Sequence, residues 1–146
     1  MAKKLTRREI REQLYRLVFQ LEFYKGEERE EQAKLSLEDL QEVTEKDKEE
    51  LLEKFRGVSA HVEEIDRLIN EKAKGWSVSR LPKADLTVLR LAVYEIIYDE
   101  KVPDGVAVNE AVELAKQYGG DKSTGYINGV LAAIVRERSR QDGENA

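Results

Sequence analysis

A chain of 146 residues, 40% hydrophobic and 38% charged, is long enough for one packed domain and too short for several. It has no cysteine, which excludes a disulfide framework, a thiolate metal site and a thiol nucleophile. No apolar run approaches the roughly 18–20 residues of a membrane span, no apolar core follows the basic N-terminus as in a secretory signal, and the net charge of −5 opposes bulk nucleic-acid binding, so the expectation is a cytoplasmic protein without a membrane partner.

Two prolines, nine glycines and no sustained apolar–polar alternation predict an all-α chain, which we read as a single domain over 1–146. Thr6 and Glu9 have the spacing of a capping box and place the start of the first helix, with Ile10, Leu14, Leu17, Leu21 and Tyr24 as its stripe and Gly26 as its stop. Residues 27–50 are charge-rich, with Ser36 as a cap for a short helix containing Leu37, Leu40 and Val43. One long helix is expected from about Asp47 to Lys74, its face built from Leu51, Leu52, Phe55, Val58, Val62, Ile65, Leu68 and Ile69, with Gly57 loosening it locally.

Gly75-Trp76 and Pro82 bracket a hinge that divides the domain into an N-terminal half, about 1–75, and a C-terminal half, about 76–138. The segment from Pro82 to Tyr98 is apolar nearly all round, so it should be the buried spine of the second half. Val102-Pro103-Asp104-Gly105 reads as a turn, followed by helices over about 106–118 and 123–138 and a frayed polar tail at 139–146. Gly125, Gly129 and Ala133 form a small-residue stripe on the last helix, read as close approach of another backbone, internal packing first. Arg90 and Glu95 interrupt the spine and, as buried charges, call for partners on neighbouring elements. Asp85 suits the positive end of the spine helix, with a contact to a base as the lesser alternative.

Charge is distributed unevenly. Residues 1–25 carry seven basic side chains against three acidic ones, a surplus of four that leaves −9 on the remainder. At about 100° per residue, Lys4, Arg7, Arg8 and Arg11 cluster beside the apolar stripe of the first helix, with Lys3 just before them and Arg16 farther along. Tyr15 and Phe19 extend that edge. Guanidinium groups suit bidentate phosphate contacts, and an exposed aromatic offers a platform for an unpaired base. The same pattern also fits a solvated charged face with both aromatics packed inside, and the residues alone leave both open. Tyr126, with Tyr118 and Lys122 just upstream, is the second candidate; read alone, it fits a core tyrosine with a wet hydroxyl better than a binding residue. His61 beside Glu63 and Glu64 lacks the second Glu-x-x-His element of a bundle metal site and reads as a surface histidine. With no phosphate loop and no nucleophile constellation, an enzyme is not expected, nor a cofactor or metal.

The entry Trp76…Arg80-Leu81-Pro82, the run Leu89-Arg90-Leu91-Ala92-Val93-Tyr94-Glu95, the block Asn109–Lys116 and the run Asn128-Gly129-Val130-Leu131 resemble, in order and spacing, the C-terminal half of the NusB family of antitermination factors. Arg7, Arg8, Arg11 and Glu12 are similar to the family's arginine-rich start, and Phe19-Gln20 stands where the family usually shows Tyr-Gln, so a hydroxyl is lost but a stacking ring is kept. The resemblance covers most of residues 6–138 and is poor over 26–56. It implies an all-α, NusB-like bundle of about seven helices in two three-helix halves. It also implies binding of boxA RNA together with NusE, a small-subunit ribosomal protein, in a complex with other Nus factors and RNA polymerase that suppresses premature termination, notably in ribosomal RNA operons. The resemblance maps the RNA contacts to Arg7, Arg8 and Arg11, with Phe19 and Tyr126 beside them. Together with the basic edge and the second candidate, the expected RNA-binding set is Lys3, Lys4, Arg7, Arg8, Arg11, Tyr15, Arg16, Phe19, Lys122 and Tyr126. NusE would dock along the second half, on the spine and the Asn109–Lys116 helix. The same module occurs fused to rRNA cytosine methyltransferases; this chain has no room for one, and the free-standing factor is expected. The rival reading is a homodimeric protein-interaction bundle without direct RNA binding.

Overall fold

The computed structural model describes residues 2–73 and 77–145, with side chains as far as Arg140. These residues form seven α-helices: α1 (Arg7–Phe19), α2 (Glu27–Glu38), α3 (Glu45–Ala60), α4 (Val62–Lys72), α5 (Lys83–Tyr98), α6 (Asp104–Tyr118) and α7 (Ser123–Asn145). Two 3-10 turns, Gln20–Glu22 and Val78–Arg80, complete the elements, and among the described residues there is no strand. The all-α expectation and the helix number are met. The chain divides into two compact units, Met1–His61 with α1 to α3 and Val62–Ala146 with α4 to α7. Gly75 and Trp76, expected at a hinge, lie outside the described residues.

In the first unit, local chemistry starts α1 where the sequence places it. Thr6 Oγ1 accepts the Glu9 N–H at 3.1 Å, and Glu9 Oε1 accepts the Thr6 N–H at 3.0 Å. Ile10, Leu14, Leu17, Val18 and Leu21 are buried. The α-helix ends at Phe19, not near Gly26, because the backbone tightens into the 3-10 turn. Arg29 secures that turn, its Nε donating to the Tyr24 carbonyl at 2.8 Å and its Nη2 to that of Leu21 at 3.2 Å.

α2 corrects the sequence reading. It starts at Glu27, well before Ser36, as Gly26 turns the chain at φ 59 and Glu27, Glu28 and Glu30 complement the positive helix end. Ser36 lies inside the helix, where its Oγ accepts from Gln20 Nε2 at 2.8 Å. α3 is capped by Thr44, whose Oγ1 accepts the Asp47 N–H at 3.1 Å.

The single helix expected over 47–74 is in fact α3 and α4. His61 leaves the helical region at φ −110 and ψ 12, while its N–H still bonds the carbonyls of Gly57 and Val58.

In the second unit, α5 is buried over almost its whole length, from Asp85 through Val93 and again at Glu95 and Ile96. It packs against α4, α6 and α7, with Ile65, Ile69, Leu89, Leu91, Ile96, Ile127 and Leu131 among the fully buried side chains. Ion pairs bind α7 to its neighbours: Lys72 to Glu137 at 2.8 Å and Arg138 to Asp104 at 3.2 Å. α7 continues to Asn145, past the tail expected to fray from 139, since no proline interrupts the segment. Among the described residues the close packing expected at its glycines is not found, because a Cβ at Gly125 or Gly129 meets nothing within 4 Å.

Candidate nucleic-acid interface

The basic arm is held in place before any ligand arrives. The Lys3 N–H donates to the Glu42 carbonyl at 2.7 Å, and the Leu5 N–H to Asp47 Oδ2 at 2.7 Å. Glu42 sits at φ 63, a left-handed conformation costly for a side chain with a Cβ, and Asp47 is only 3% exposed. Both belong to the α2–α3 connection and the first turn of α3, so those elements set where α1's basic end emerges.

From that anchor Lys3, Lys4, Arg7, Arg8 and Arg16 are exposed, and Arg11 is half-buried. Arg7 is gripped by α3: its Nη1 donates to Glu50 Oε2 at 2.6 Å and its Nη2 to Glu50 Oε1 at 3.2 Å. The hydrogen bonds hold the Glu50 carboxyl below its ordinary range and push the Arg7 guanidinium higher still. Lys54 stands 3.6 Å from the same carboxylate, and Lys3 lies 3.8 Å from Glu9.

The aromatics do not behave alike. Tyr15 is 5% exposed, so it follows the packed-inside alternative and offers no open face. Phe19 is half-buried, its ring centroid 6.4 Å from Tyr15 and 5.5 Å from Phe23. Phe23, which the sequence reading passed over, is 55% exposed. Its signal was the four-residue repeat 15, 19, 23, obscured because the apolar stripe was closed on its neighbour Tyr24, with Gly26 as the helix stop.

Lys122 and Tyr126 belong to the second unit. Lys122 is exposed in the turn before α7, and the Gly120 N–H donates to Ser123 Oγ at 3.0 Å within that turn. Gly119 is required there, since a Cβ would stand 2.8 Å from the Ala115 carbonyl and from Ser123. Tyr126 is half-buried, and the wet hydroxyl expected of it is instead a buried one with no hydrogen-bond partner among the described residues. Burial, and secondarily the negative charge of Asp85, raises its pKa. Asp85 is itself 7% exposed in the first turn of α5. His61 is exposed at the C-cap of α3, and among the described residues no three His, Cys, Asp or Glu side chains gather as metal ligands. No helix of the described residues is long and apolar enough to cross a membrane.

The model of the NusB family matches residues 8–136. The chain belongs to the NusB family. The transcription antitermination protein NusB of Lachnoclostridium phytofermentans is 43% identical over 131 residues, covering 90% of this chain and 99% of that protein. Among solved structures, T. maritima NusB superposes with a TM-score of 0.81 at 36% identity, covering 92% of this chain and 94% of that one. A crystal structure of antitermination factors NusB and NusE in complex with double-stranded RNA superposes at 0.78 with 27% identity, covering 90% and 96%. The family is one of transcription antitermination factors and not of enzymes.

Proposed function

We propose that this protein is a transcription antitermination factor that binds boxA RNA together with NusE and helps RNA polymerase and other Nus factors read through terminators, notably in ribosomal RNA operons. The family match across residues 8–136 carries this reading. The exposed cations at the start of α1 supply its chemistry on a chain whose net charge would otherwise repel RNA.

The two units would act as one functional domain in the cytoplasm, where transcription takes place. In the first, Arg7, Arg8 and Arg11 fix phosphates, Lys3, Lys4 and Arg16 add sequence-independent attraction, and Phe19 with Phe23 stacks on unpaired bases. In the second, Lys122 and Tyr126 contribute RNA contacts, while α5 and α6 recruit NusE. The acidic remainder disfavours indiscriminate RNA and leaves selection to the joint surface with NusE.

The test is titration into labelled boxA RNA and a scrambled control, with and without active NusE. A boxA preference that sharpens with NusE is expected; no preference in either mixture sinks the reading and favours a protein-interaction bundle. Replacing Arg7, Arg8 and Arg11 together by alanine should abolish binding at unchanged helix content. Single replacements of Arg7, Arg8 or Arg11, which leave binding measurable, should each flatten the salt dependence by roughly 0.7 in log–log slope on a single strand.

A further inference from the structure

The Arg7 guanidinium, placed among the RNA contacts above, already has an anion. Glu50 engages both terminal nitrogens end-on, the same two-pronged geometry with which arginine grips a phosphate. A phosphate approaching that end of the fork meets an occupied site.

We propose that Glu50 is an internal competitor of RNA at Arg7, so that a phosphate must displace its carboxylate and RNA affinity is set by that exchange. The proposal rests on the RNA-binding reading of Arg7. Three observations support it. The pair is accessible, with 61% of the Arg7 side chain and 31% of the Glu50 side chain exposed, so exchange requires no unfolding. Glu50 would not be stranded, because Lys54 lies 3.6 Å from its Oε2 and can retain the released carboxylate. Asp47, the other acid whose charge is felt at Arg7, is not available as a substitute, since it accepts the Leu5 N–H in the buried anchor of the arm.

The exchange has consequences for selectivity. A ligand that offers one poorly placed phosphate gains little by replacing a well-formed carboxylate fork. An RNA held at several further points gains the fork after its other contacts are made, so the competitor raises the threshold for weak, nonspecific ligands.

Four full-length proteins, wild type, Glu50→Gln, Arg7→Ala and the double variant, decide the matter by titration against labelled boxA RNA in the presence of NusE. Glu49→Gln serves as a control that removes the same charge from an exposed position one residue away. Glu50→Gln should tighten binding roughly two- to fivefold, the range of an exposed ion pair. It should do so by more than Glu49→Gln, and the gain should vanish in the Arg7→Ala background. Unchanged or weaker binding by Glu50→Gln would make Glu50 a brace for Arg7, and a gain that survives Arg7→Ala would reduce it to a distant charge; either result overturns the proposal. A wild type that ignores boxA RNA removes the antitermination reading, and this proposal with it. A wild type that binds normally beside an indifferent Glu50→Gln removes the proposal alone.

Discussion

Arg90 and Asp66 clasp α5 to α4 through two parallel hydrogen bonds, Nε to Oδ1 at 2.9 Å and Nη2 to Oδ2 at 2.8 Å. The arginine side chain is only 7% exposed, the aspartate 23%, so the pair sits where a lone charge is expensive. Asp66→Ala should therefore destabilise the protein by about 3 kcal/mol or more in urea unfolding. Combining Arg90→Met with Asp66→Leu should recover most of that loss, because neither member of the pair is left as a lone charge. A single variant as stable as wild type would show that the guanidinium is satisfied without Asp66.

The glycines of the C-terminal region divide by their surroundings. Gly129 lies within α7, with open space where a Cβ would go, so Gly129→Ala should stabilise by about 1 kcal/mol through helix propensity. Gly119 faces the Ala115 carbonyl and Ser123 at 2.8 Å, and Gly119→Ala should cost about 1–3 kcal/mol as the turn before α7 shifts. Thermal unfolding of the two variants should move in opposite directions. A destabilised Gly129→Ala would mean that another backbone packs on this face after all.

The difference between what was legible and what was not follows from range along the chain. The start of α1 needs only Thr6 and Glu9, three residues apart, and α5 announces itself by a continuous apolar run. The break at His61 was hidden because Leu51, Phe55, Val58, Val62, Ile65 and Ile69 keep helical spacing straight through it. α2 gave little signal because Ala33 and Leu37 are its only buried residues and most of the rest are charged. At the site, a helical wheel found the exposed arginines, but Glu50 is 43 residues from Arg7 and reaches it only through the packing of α3 on α1. The RNA and NusE partners came from family resemblance; residue chemistry offered only an arginine cluster with two readings.

Acid should weaken the first unit in a defined window. Glu9 is held below the ordinary carboxyl range chiefly by the Thr6 backbone N–H, and Glu50 chiefly by its hydrogen bonds with Arg7. A carboxyl with a lowered folded pKa contributes its stability in full above its unfolded value, about 4.3, and loses it as pH falls through the folded value. Glu9→Ala should accordingly be less stable than wild type at pH 7, with the gap closing below about pH 4 as wild-type Glu9 protonates. Thermal melts at several pH values measure it. A gap that stayed constant into acid would assign the loss to helix packing, and the charge-assisted half of the capping box would carry no weight.

Tyr15 and Phe23 both lie in ring contact with Phe19, yet their environments assign them opposite roles. Tyr15, 5% exposed, belongs to the core, and Tyr15→Ala should cost about 3 kcal/mol or more of stability, as large buried aromatics do. Phe23 is 55% exposed and in ring contact with Phe19, so its removal opens no cavity and Phe23→Ala should leave the unfolding midpoint nearly unchanged. If bases stack on it, the same substitution should weaken boxA RNA binding by about 1–3 kcal/mol, or about 5- to 150-fold. That loss should be nearly independent of salt, since no phosphate contact is removed, in contrast to the flattened slope expected of the arginine variants. A Phe23→Ala protein that binds RNA like wild type would restrict stacking to Phe19 and leave Phe23 as an ordinary exposed apolar residue.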